Sequence, residues 1–476
     1  MFNGFLNIIV VISSKSSHFK NLFNKLILTF FRLITPLLLI PFVYRSIEPF
    51  QMGHVDYAIS FVSYFYIIGD FGLSMYGIRE IASNRGNNRI ISELYSLRNT
   101  INFVVLLFYL IVLYFEENTT VFYYLLICIF NISANFVNVE WVNEAYEKFS
   151  FITWKTILVR GLYVIAVFFF VSGQYAAIYY LLLTGFSIFL NNLISFIYVK
   201  KKYKFKFSLF LLNKENFKNM FFVFLTINSG VLFFQLDKLY LGNLNRFNDV
   251  SFYAFGERII MIVVMLVSAG ISFLTPKLSL MQSEGANTKD LLQKNLNLIC
   301  LFLMPISVGF LVVGEDLIRM LGGDNYLSTS QIIPFISIIV VLYVFLEFMK
   351  INIFIVFKNE KYYSLIFFTM FFFSVLIKLV FKNLNFINLM SILTFMFLVM
   401  NLILFSVIYF KHNMYLNFLL PFRYILYSLP FLLLNQFYVD NVLLSLIFKV
   451  LMCISYYLCV LYLFKDYFVL RLLKKT

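Results

Sequence analysis

Ionisable side chains inside long apolar segments are the residues of this sequence that could do chemistry. A charged group in hydrocarbon is costly unless it faces a partner or a water-filled cavity, so each one is a candidate for function. The cations among them suit a phosphate-bearing ligand, because Arg grips phosphate with paired donors and Lys supplies a point charge. The set consists of Arg32, Asp70, Lys155, Arg160, Asp237, Lys238, Glu257, Arg258, Glu347, Lys350 and Lys378.

Most of these charged residues could instead have a purely structural role. Four cations stand where they could lie near helix ends and snorkel to the membrane interface: Arg32, Lys155, Arg160 and Lys378. Glu347 and Lys350 are three residues apart on one helix face and could simply neutralise each other. Asp70 is the hardest to explain structurally, although it could cap or hydrogen-bond a neighbouring helix.

Two pairs of adjacent opposite charges have the same ambiguity. Asp237-Lys238 and Glu257-Arg258 could form interhelical ion pairs that hold helices together, or they could face a cavity. Both interpretations stay open at the level of sequence.

The composition requires a membrane. The chain has 476 residues, of which 62% are hydrophobic and only 13% are charged, and its mean hydropathy is +0.87. A soluble domain is near half apolar and about a quarter charged. The apolar residues form runs of about 20, long enough to cross roughly 30 Å of hydrocarbon as helices. They lack the alternation of barrel strands, so we predict an all-α integral membrane protein.

Turn signals between the apolar runs predict fourteen helices. Their ranges are 26–46, 55–78, 100–115, 121–139, 153–172, 176–199, 219–242, 250–276, 293–314, 331–356, 363–381, 384–410, 417–437 and 441–464. Alternate loops on one side carry 25 Lys and Arg residues, against 4 on the other side. Because basic loops stay in the cytoplasm, both termini are predicted to be cytoplasmic.

The same features exclude several classes of protein. The net charge of +15 lies between apolar runs, so it indicates topology and anionic lipid headgroups rather than nucleic acid. No G-x-x-x-x-G-K-[ST] motif is present, and the predicted loops are too short for an ATPase unit or for the catalytic loop of a membrane glycosyltransferase. The four Cys and three His residues show no metal spacing. We therefore expect no enzyme activity, no metal and no cofactor.

A weak internal repeat suggests two related halves. Tyr57-Ala58 aligns with Tyr253-Ala254 at an offset of 196 residues, and the same offset roughly superposes the first six spans on the next six. The predicted domains are an N-terminal bundle (1–218), a C-terminal bundle (219–416) and an appended helix pair with its tail (417–476).

Two motifs resemble a known family. The first is the GDFGLS string at 69–74, followed by YGIREIA at 76–82. The second is FQLDKLYLG at 234–242, leading to the helix that ends at Thr275-Pro276-Lys277. They are similar to the polysaccharide flippases of the multidrug/oligosaccharidyl-lipid/polysaccharide exporter superfamily, with a resemblance that spans about residues 20–465.

This resemblance implies 12–14 transmembrane helices in two pseudo-symmetric six-helix bundles around a central cavity, working by alternating access, plus the C-terminal pair. It also implies a substrate of undecaprenyl diphosphate carrying a sugar repeat unit, in the bacterial cytoplasmic membrane, for O-antigen or capsule synthesis. Membrane lipids, a polysaccharide polymerase and chain-length machinery are the partners it implies.

The roles expected for the charged set follow from this substrate. Arg32, Lys238 and Arg258 are predicted to neutralise the diphosphate, and a proton or sodium gradient is a candidate energy source through Asp70, Asp237 or Glu257. The remaining cavity candidates are Lys155, Arg160, Glu347, Lys350 and Lys378. The alternative function is a cation-coupled exporter of small amphipathic compounds, which the cationic bias of the set disfavours.

Overall fold

The computed structural model describes residues 2–208, 216–217, 220–221, 224, 229–412, 416–417, 419–437 and 441–464. Regular structure in these residues is entirely helical. Up to residue 208 the helices are α1 (Phe2–Ser46), α2 (Pro49–Asp70), α3 (Leu73–Ser83), α4 (Asn88–Tyr114), α5 (Thr119–Ile127), α6 (Ile129–Phe136), α7 (Glu140–Ala145), α8 (Phe149–Phe170) and α9 (Ala176–Tyr203).

From residue 229 onward the structure describes nine further α-helices. They are α10 (Ser229–Asn243), α11 (Phe247–Phe273), α12 (Thr275–Ser283), α13 (Lys289–Gly322), α14 (Ile333–Met349), α15 (Glu360–Val380), α16 (Phe386–His412), α17 (Leu419–Ser428) and α18 (Val442–Leu463). A 3-10 helix at Asp324–Ile332 precedes α14, and a π-helical segment at Lys350–Ile355 follows it.

The chain divides into two compact units. Unit 1 comprises Met1–Ile47 and His54–Asn228, and unit 2 comprises Glu48–Gly53 and Ser229–Thr476. The boundary between the units therefore falls inside the predicted seventh span. The separate domain predicted for residues 417–476 and the pseudo-symmetric arrangement around a cavity stay predictions.

Twelve helical segments in the described part of the chain are long and apolar enough to cross a membrane. The prediction of an all-α integral membrane protein with 12–14 spans is confirmed. Two of the fourteen predicted spans have no counterpart among the twelve. Residues 219–242 are described only in part, with α10 in their second half, and residues 417–437 form α17 followed by a 3-10 helix at Leu429–Gln436.

Asparagine side chains cap the start of several helices. Asn87, Asn118 and Asn441 each accept a hydrogen bond from a backbone N–H in the first turn of α4, α5 and α18, which satisfies a donor that has no partner inside the helix. The cap at Asn87 starts α4 twelve residues before the predicted start at residue 100. Arg98, which the sequence assigned to a loop, consequently lies within a membrane-spanning helix.

The GDFG string produces a break between α2 and α3. Phe71 and Gly72 both have positive φ, +46° and +73°, so the helix stops and restarts with a changed direction. A Cβ at Gly72 would lie 2.6 Å from the backbone N of Phe224 and 2.8 Å from the carbonyl oxygen of Met220. Phe71 also stacks on Phe217, with ring centroids 4.8 Å apart. The motif thus serves close packing of unit 1.

The last described helices pack against α13 in unit 2. The ammonium of Lys449 on α18 lies 2.8 Å from the Asp316 carboxylate, and the Ser445 hydroxyl donates to the same oxygen at 2.8 Å. The Tyr457 hydroxyl donates to the carbonyl of Leu301 at 2.8 Å. Polar groups on α18 are therefore satisfied by α13, while much of its apolar surface remains exposed.

Candidate functional site

Unit 1 contains a charged cluster around Glu140, the first residue of α7. Lys155 of α8 forms an ion pair with Glu140, and its ammonium also donates to the Ser195 hydroxyl at 2.7 Å and to the Asn191 carbonyl at 3.1 Å. The Ser195 hydroxyl donates to the same carboxylate at 2.8 Å. A desolvated ammonium is thereby given three acceptors on α7 and α9, as a buried charge requires.

The arginines of this cluster are more accessible than its lysine. The guanidinium of Arg32 lies 3.6 Å from Glu140, and 45% of its side chain is exposed, against 2% for Lys155. Arg160 donates to the backbone carbonyl of Arg32 at 3.4 Å. Two cations, Arg32 and Lys155, therefore share the Glu140 carboxylate, and Arg160 lies beside Arg32. We define the Glu140 cluster as Arg32, Glu140, Lys155, Arg160 and Ser195. The excess positive charge makes it suited to an anionic ligand.

Unit 2 contains a second cluster, at the motif 234–242. Asp237 on α10 pairs with the ammonium of Lys378 on α15 at 2.8 Å and accepts a hydrogen bond from the Tyr253 hydroxyl. The adjacent Lys238 pairs with Glu257 on α11 at 2.6 Å. All four charged side chains of this Asp237 cluster, formed by Asp237, Lys238, Tyr253, Glu257 and Lys378, are buried.

The charges of the Asp237 cluster are balanced in two pairs. Removing two charges from water costs several kcal/mol for each ion, which a pair recovers only with good geometry and further hydrogen bonds. Lys378 has such support from the Ser374 hydroxyl at 2.5 Å. The cluster thus joins α10, α11 and α15 through compensated ion pairs, and the structure shows the interhelical pairing that the sequence offered as one alternative for Lys238 and Glu257.

The structure places the other predicted residues apart from these clusters. Glu347 and Lys350 form an ion pair of 2.5 Å at the start of the π-helical segment. Asp70 accepts from the Ser74 hydroxyl at 2.8 Å across the break between α2 and α3. Arg258 follows Glu257 on α11 and is partly exposed. Lys155 and Lys378 are both buried and ion-paired, so the alternative that these two lysines snorkel to the interface is wrong.

The sequence missed a buried arginine with an asparagine-rich environment. Arg98 is 0% exposed, and its Nη2 atom donates to the carbonyls of Asn135 and Asn138, where α6 ends before α7. The two carbonyls lie at the C-terminal end of α6 and just beyond it, and the Asn135 carbonyl also accepts from the Asn138 N–H at 3.3 Å. The guanidinium therefore acts as a C-terminal cap that adds to the backbone hydrogen bonds of this turn. Its Nε and Nη1 atoms have no hydrogen-bond partner among the described residues.

Several buried asparagine amides of unit 1 also have an atom that lacks a hydrogen-bond partner among the described residues. At least one buried side-chain atom lacks a described hydrogen-bond partner in each of Asn99, Asn102, Asn131, Asn135 and Asn143. Asn102 and Asn135 lie directly against Gly69, where a Cβ would overlap the Asn102 amide. The recurrence of Asn at helical spacing within residues 131–138 could have indicated a polar helix face. Arg98 and Glu140 were missed because both were assigned to loops.

Metal ligands do not converge in the described part of the chain. No group of three His, Cys, Asp or Glu residues there is arranged to hold a metal ion. The contacts of the Asp237 cluster are ion pairs, whereas the Glu140 cluster has more cations than acids and an accessible arginine that could bind an anion.

Comparisons with known proteins agree with this architecture. The model of the polysaccharide biosynthesis protein family matches residues 19–282. The solved structure of the lipid II flippase MurJ in an inward closed conformation matches with a TM-score of 0.71 and 17% sequence identity, covering 94% of this chain and 99% of that chain. No curated protein matches the chain at a significant level.

Fold and charged clusters together define a multi-pass α-helical membrane protein built on the architecture of a lipid flippase. Within that class, the chain belongs to the polysaccharide biosynthesis protein family. The resemblance to polysaccharide flippases that its two motifs carried is confirmed.

Proposed function

We propose that this protein flips an undecaprenyl-diphosphate-linked oligosaccharide repeat unit from the cytoplasmic to the outer face of a bacterial cytoplasmic membrane, by alternating access, for O-antigen or capsule synthesis. The observation that carries this proposal is the fold match to a lipid II flippase over 94% of the chain, in a member of the polysaccharide biosynthesis family. The protein would act as a transporter and not as an enzyme, with both termini in the cytoplasm.

The diphosphate would bind to accessible cations. Arg32 suits this role, because its side chain is 45% exposed and its guanidinium lies 3.6 Å from Glu140. Arg258 is also partly exposed, whereas Lys238 is buried and paired with Glu257. We therefore propose Arg32 and Arg258 as direct phosphate contacts and Lys238 as a residue that positions α11, the helix that carries Arg258.

Energy from a proton or sodium gradient would enter through Asp70. Among the three acids considered, Asp237 and Glu257 each have a buried lysine partner, which already compensates their charge. Asp70 is partly exposed and accepts hydrogen bonds from Ser74 among the contacts described, so its carboxylate is the most accessible of the three acids. A polysaccharide polymerase and chain-length machinery would take up the flipped unit.

The test is a strain that lacks the gene, in which lipid-linked oligosaccharides are extracted and assigned to a membrane face. We expect complete repeat units on the cytoplasmic face and loss of surface polysaccharide. Restoration by the wild-type gene, but not by the Arg32→Gln variant expressed at equal level, would support the role of the Glu140 cluster. Normal surface polysaccharide together with changed drug resistance would refute flipping and support the small-molecule exporter.

A further inference from the structure

A lipid-facing groove runs between α8 and α9 in unit 1. Its volume is about 660 Å³, and its walls include Phe151, Trp154, Leu158 and Ile194. This volume lies in the range of about 300–1,000 Å³ that is typical of ligand sites. Trp154 and Leu158 belong to an exposed apolar stripe on α8, so the groove opens toward hydrocarbon.

The two polar residues of the groove are turned away from it. The Lys155 ammonium is bound to Glu140 and Ser195, so only its alkyl stem contributes to the wall. The Ser150 hydroxyl accepts a hydrogen bond from Asn24 on α1 at 2.7 Å. With both polar groups satisfied elsewhere, the groove presents an apolar surface that fits a hydrocarbon chain.

The groove has the length of one bilayer leaflet. Ser150 to Leu158 covers eight helical steps, about 12 Å at 1.5 Å per residue, which is close to half of the roughly 30 Å hydrocarbon core. It occupies the first turns of α8, at the end of the unit where α9 finishes. An undecaprenyl chain is much longer than this groove, so a phospholipid acyl chain fits it better.

Three lysines stand at the same end of the unit. Phe151 stacks on Tyr198 with ring centroids 4.1 Å apart, which places the start of α8 beside the last turns of α9. The last turn of α9 contains Lys200, Lys201 and Lys202, all exposed. The Lys202 ammonium lies 5.6 Å from the centroid of the Tyr198 ring, so its stem follows the aromatic surface toward the interface.

We propose that the α8–α9 groove and the lysines at 200–202 form a binding site for one anionic phospholipid of the surrounding bilayer. One acyl chain occupies the groove, and the phosphate lies at the lysine ammonium groups. Clustered basic residues at the membrane surface attract anionic headgroups, while the groove supplies the local chain contact that a charge cluster alone lacks. The groove shares the alkyl stem of Lys155 with the Glu140 cluster, but the lysines that hold the phosphate differ from the Arg32 cation proposed for the substrate. Lipid binding at this site does not depend on flipping.

The experiment uses the purified full-length protein, equilibrated in vesicles of phosphatidylglycerol and phosphatidylcholine in equal amounts and analysed by native mass spectrometry. We expect one phosphatidylglycerol to be retained in preference to phosphatidylcholine. Lys200→Gln/Lys201→Gln/Lys202→Gln should lower this retention by about one to two orders of magnitude. Ile194→Trp, which fills the groove without changing charge, should lower it as well, and Leu158→Asn at an exposed wall position provides a second groove variant.

The charge-matched control is Lys277→Gln/Lys289→Gln/Lys294→Gln, at helix ends in unit 2. Retention in this control at the wild-type level supports a defined site. If both triple-lysine variants lose lipid retention equally, the attraction is diffuse and electrostatic. If phosphatidylcholine is retained as well as phosphatidylglycerol, the site does not recognise the headgroup. Wild-type retention in both groove variants means that the groove holds no chain. Each of these three results would overturn the proposal, and none requires a flipping assay.

Discussion

The carboxylate of Asp237 lies 2.8 Å from the ammonium of Lys378, and both side chains are almost completely buried within unit 2. The pair crosses from α10 to α15, over 141 positions of sequence, while the neighbouring Lys238 turns to Glu257 on α11. The adjacent residues Asp237 and Lys238 thus form ion pairs with two different helices, α15 and α11. This arrangement makes the motif at 234–242 a junction of three helices.

Replacing one partner of this pair should destabilise the protein more than replacing both partners. Lys378→Met leaves the Asp237 carboxylate buried without its cation, and we expect a loss of about 3–5 kcal/mol in the free energy of unfolding. Asp237→Asn/Lys378→Met should recover most of that loss. The free energy is measured by denaturant unfolding in detergent, with Lys382→Met, an exposed lysine close in sequence, as the control. If Lys378→Met were as stable as the Lys382→Met control, the pair would have no structural role.

Arg98 should be essential for the stability of unit 1. Arg98→Gln removes the donors that cap α6, and the buried carbonyls left behind cannot bond to water instead. We therefore expect the free energy of unfolding to fall by about 3 kcal/mol. The matched control is Arg89→Gln on the same helix, whose ion pair with Glu93 is exposed and should be worth at most about 0.5 kcal/mol. Thermal unfolding in detergent measures both. Equal melting temperatures for the two variants would show that the cap contributes nothing.

Gly69 should be required because of its contact with Asn102. A Cβ at this position overlaps the Asn102 amide, so Gly69→Ala should destabilise the protein by about 1–3 kcal/mol. Gly161→Ala is the control, since no atom lies within 4 Å of its Cβ position on α8, and it should be neutral or stabilising by up to about 1 kcal/mol. Adding Asn102→Ala to Gly69→Ala should relieve the overlap. Absence of any rescue in this double variant would place the cause elsewhere.

Arg32 should matter for transport more than for folding. Its pair with Glu140 is partly exposed, so Arg32→Gln should change the free energy of unfolding by at most about 1 kcal/mol. If Arg32 binds the diphosphate, flipping of a fluorescent undecaprenyl-diphosphate oligosaccharide in proteoliposomes should fall about tenfold or more, the cost of one charge-assisted hydrogen bond. Arg85→Gln, which removes an exposed arginine paired with Glu147, should leave flipping unchanged. Full flipping by Arg32→Gln would remove this residue from the site.

Asp70 should determine whether flipping responds to an ion gradient. Asp70→Asn keeps the size of the side chain and a hydrogen bond to Ser74, so the protein should fold with little change. In proteoliposomes with an imposed proton or sodium gradient, we expect the stimulation of flipping to be lost in Asp70→Asn and kept in Ser74→Ala. Stimulation that persists in Asp70→Asn would exclude this carboxylate as the coupling group.

The membrane class and most helices could be predicted from the sequence, because crossing a bilayer depends on local apolar length and on internal backbone hydrogen bonds. The GDFG string was recognised as a family feature, and its purpose became visible only in the structure. Positive φ at Phe71 and Gly72, with close backbone contacts at Gly72, explains why the span must break at this point.

Tertiary structure alone decided the partners of Asp237, Lys238 and Glu257, whereas the pair of Glu347 with Lys350 could be read from their spacing in the sequence. Sequence placed Asp237 beside Lys238 and Glu257 beside Arg258, but the ion pairs formed are Asp237 with Lys378 and Lys238 with Glu257. Hydropathy could not reveal Arg98 or Glu140 as interior residues, because a polar helix end resembles a loop until neighbouring helices enclose it. An apolar run determines that a helix enters the membrane, whereas the packing of that helix determines which of its charges leave water and which partner compensates them.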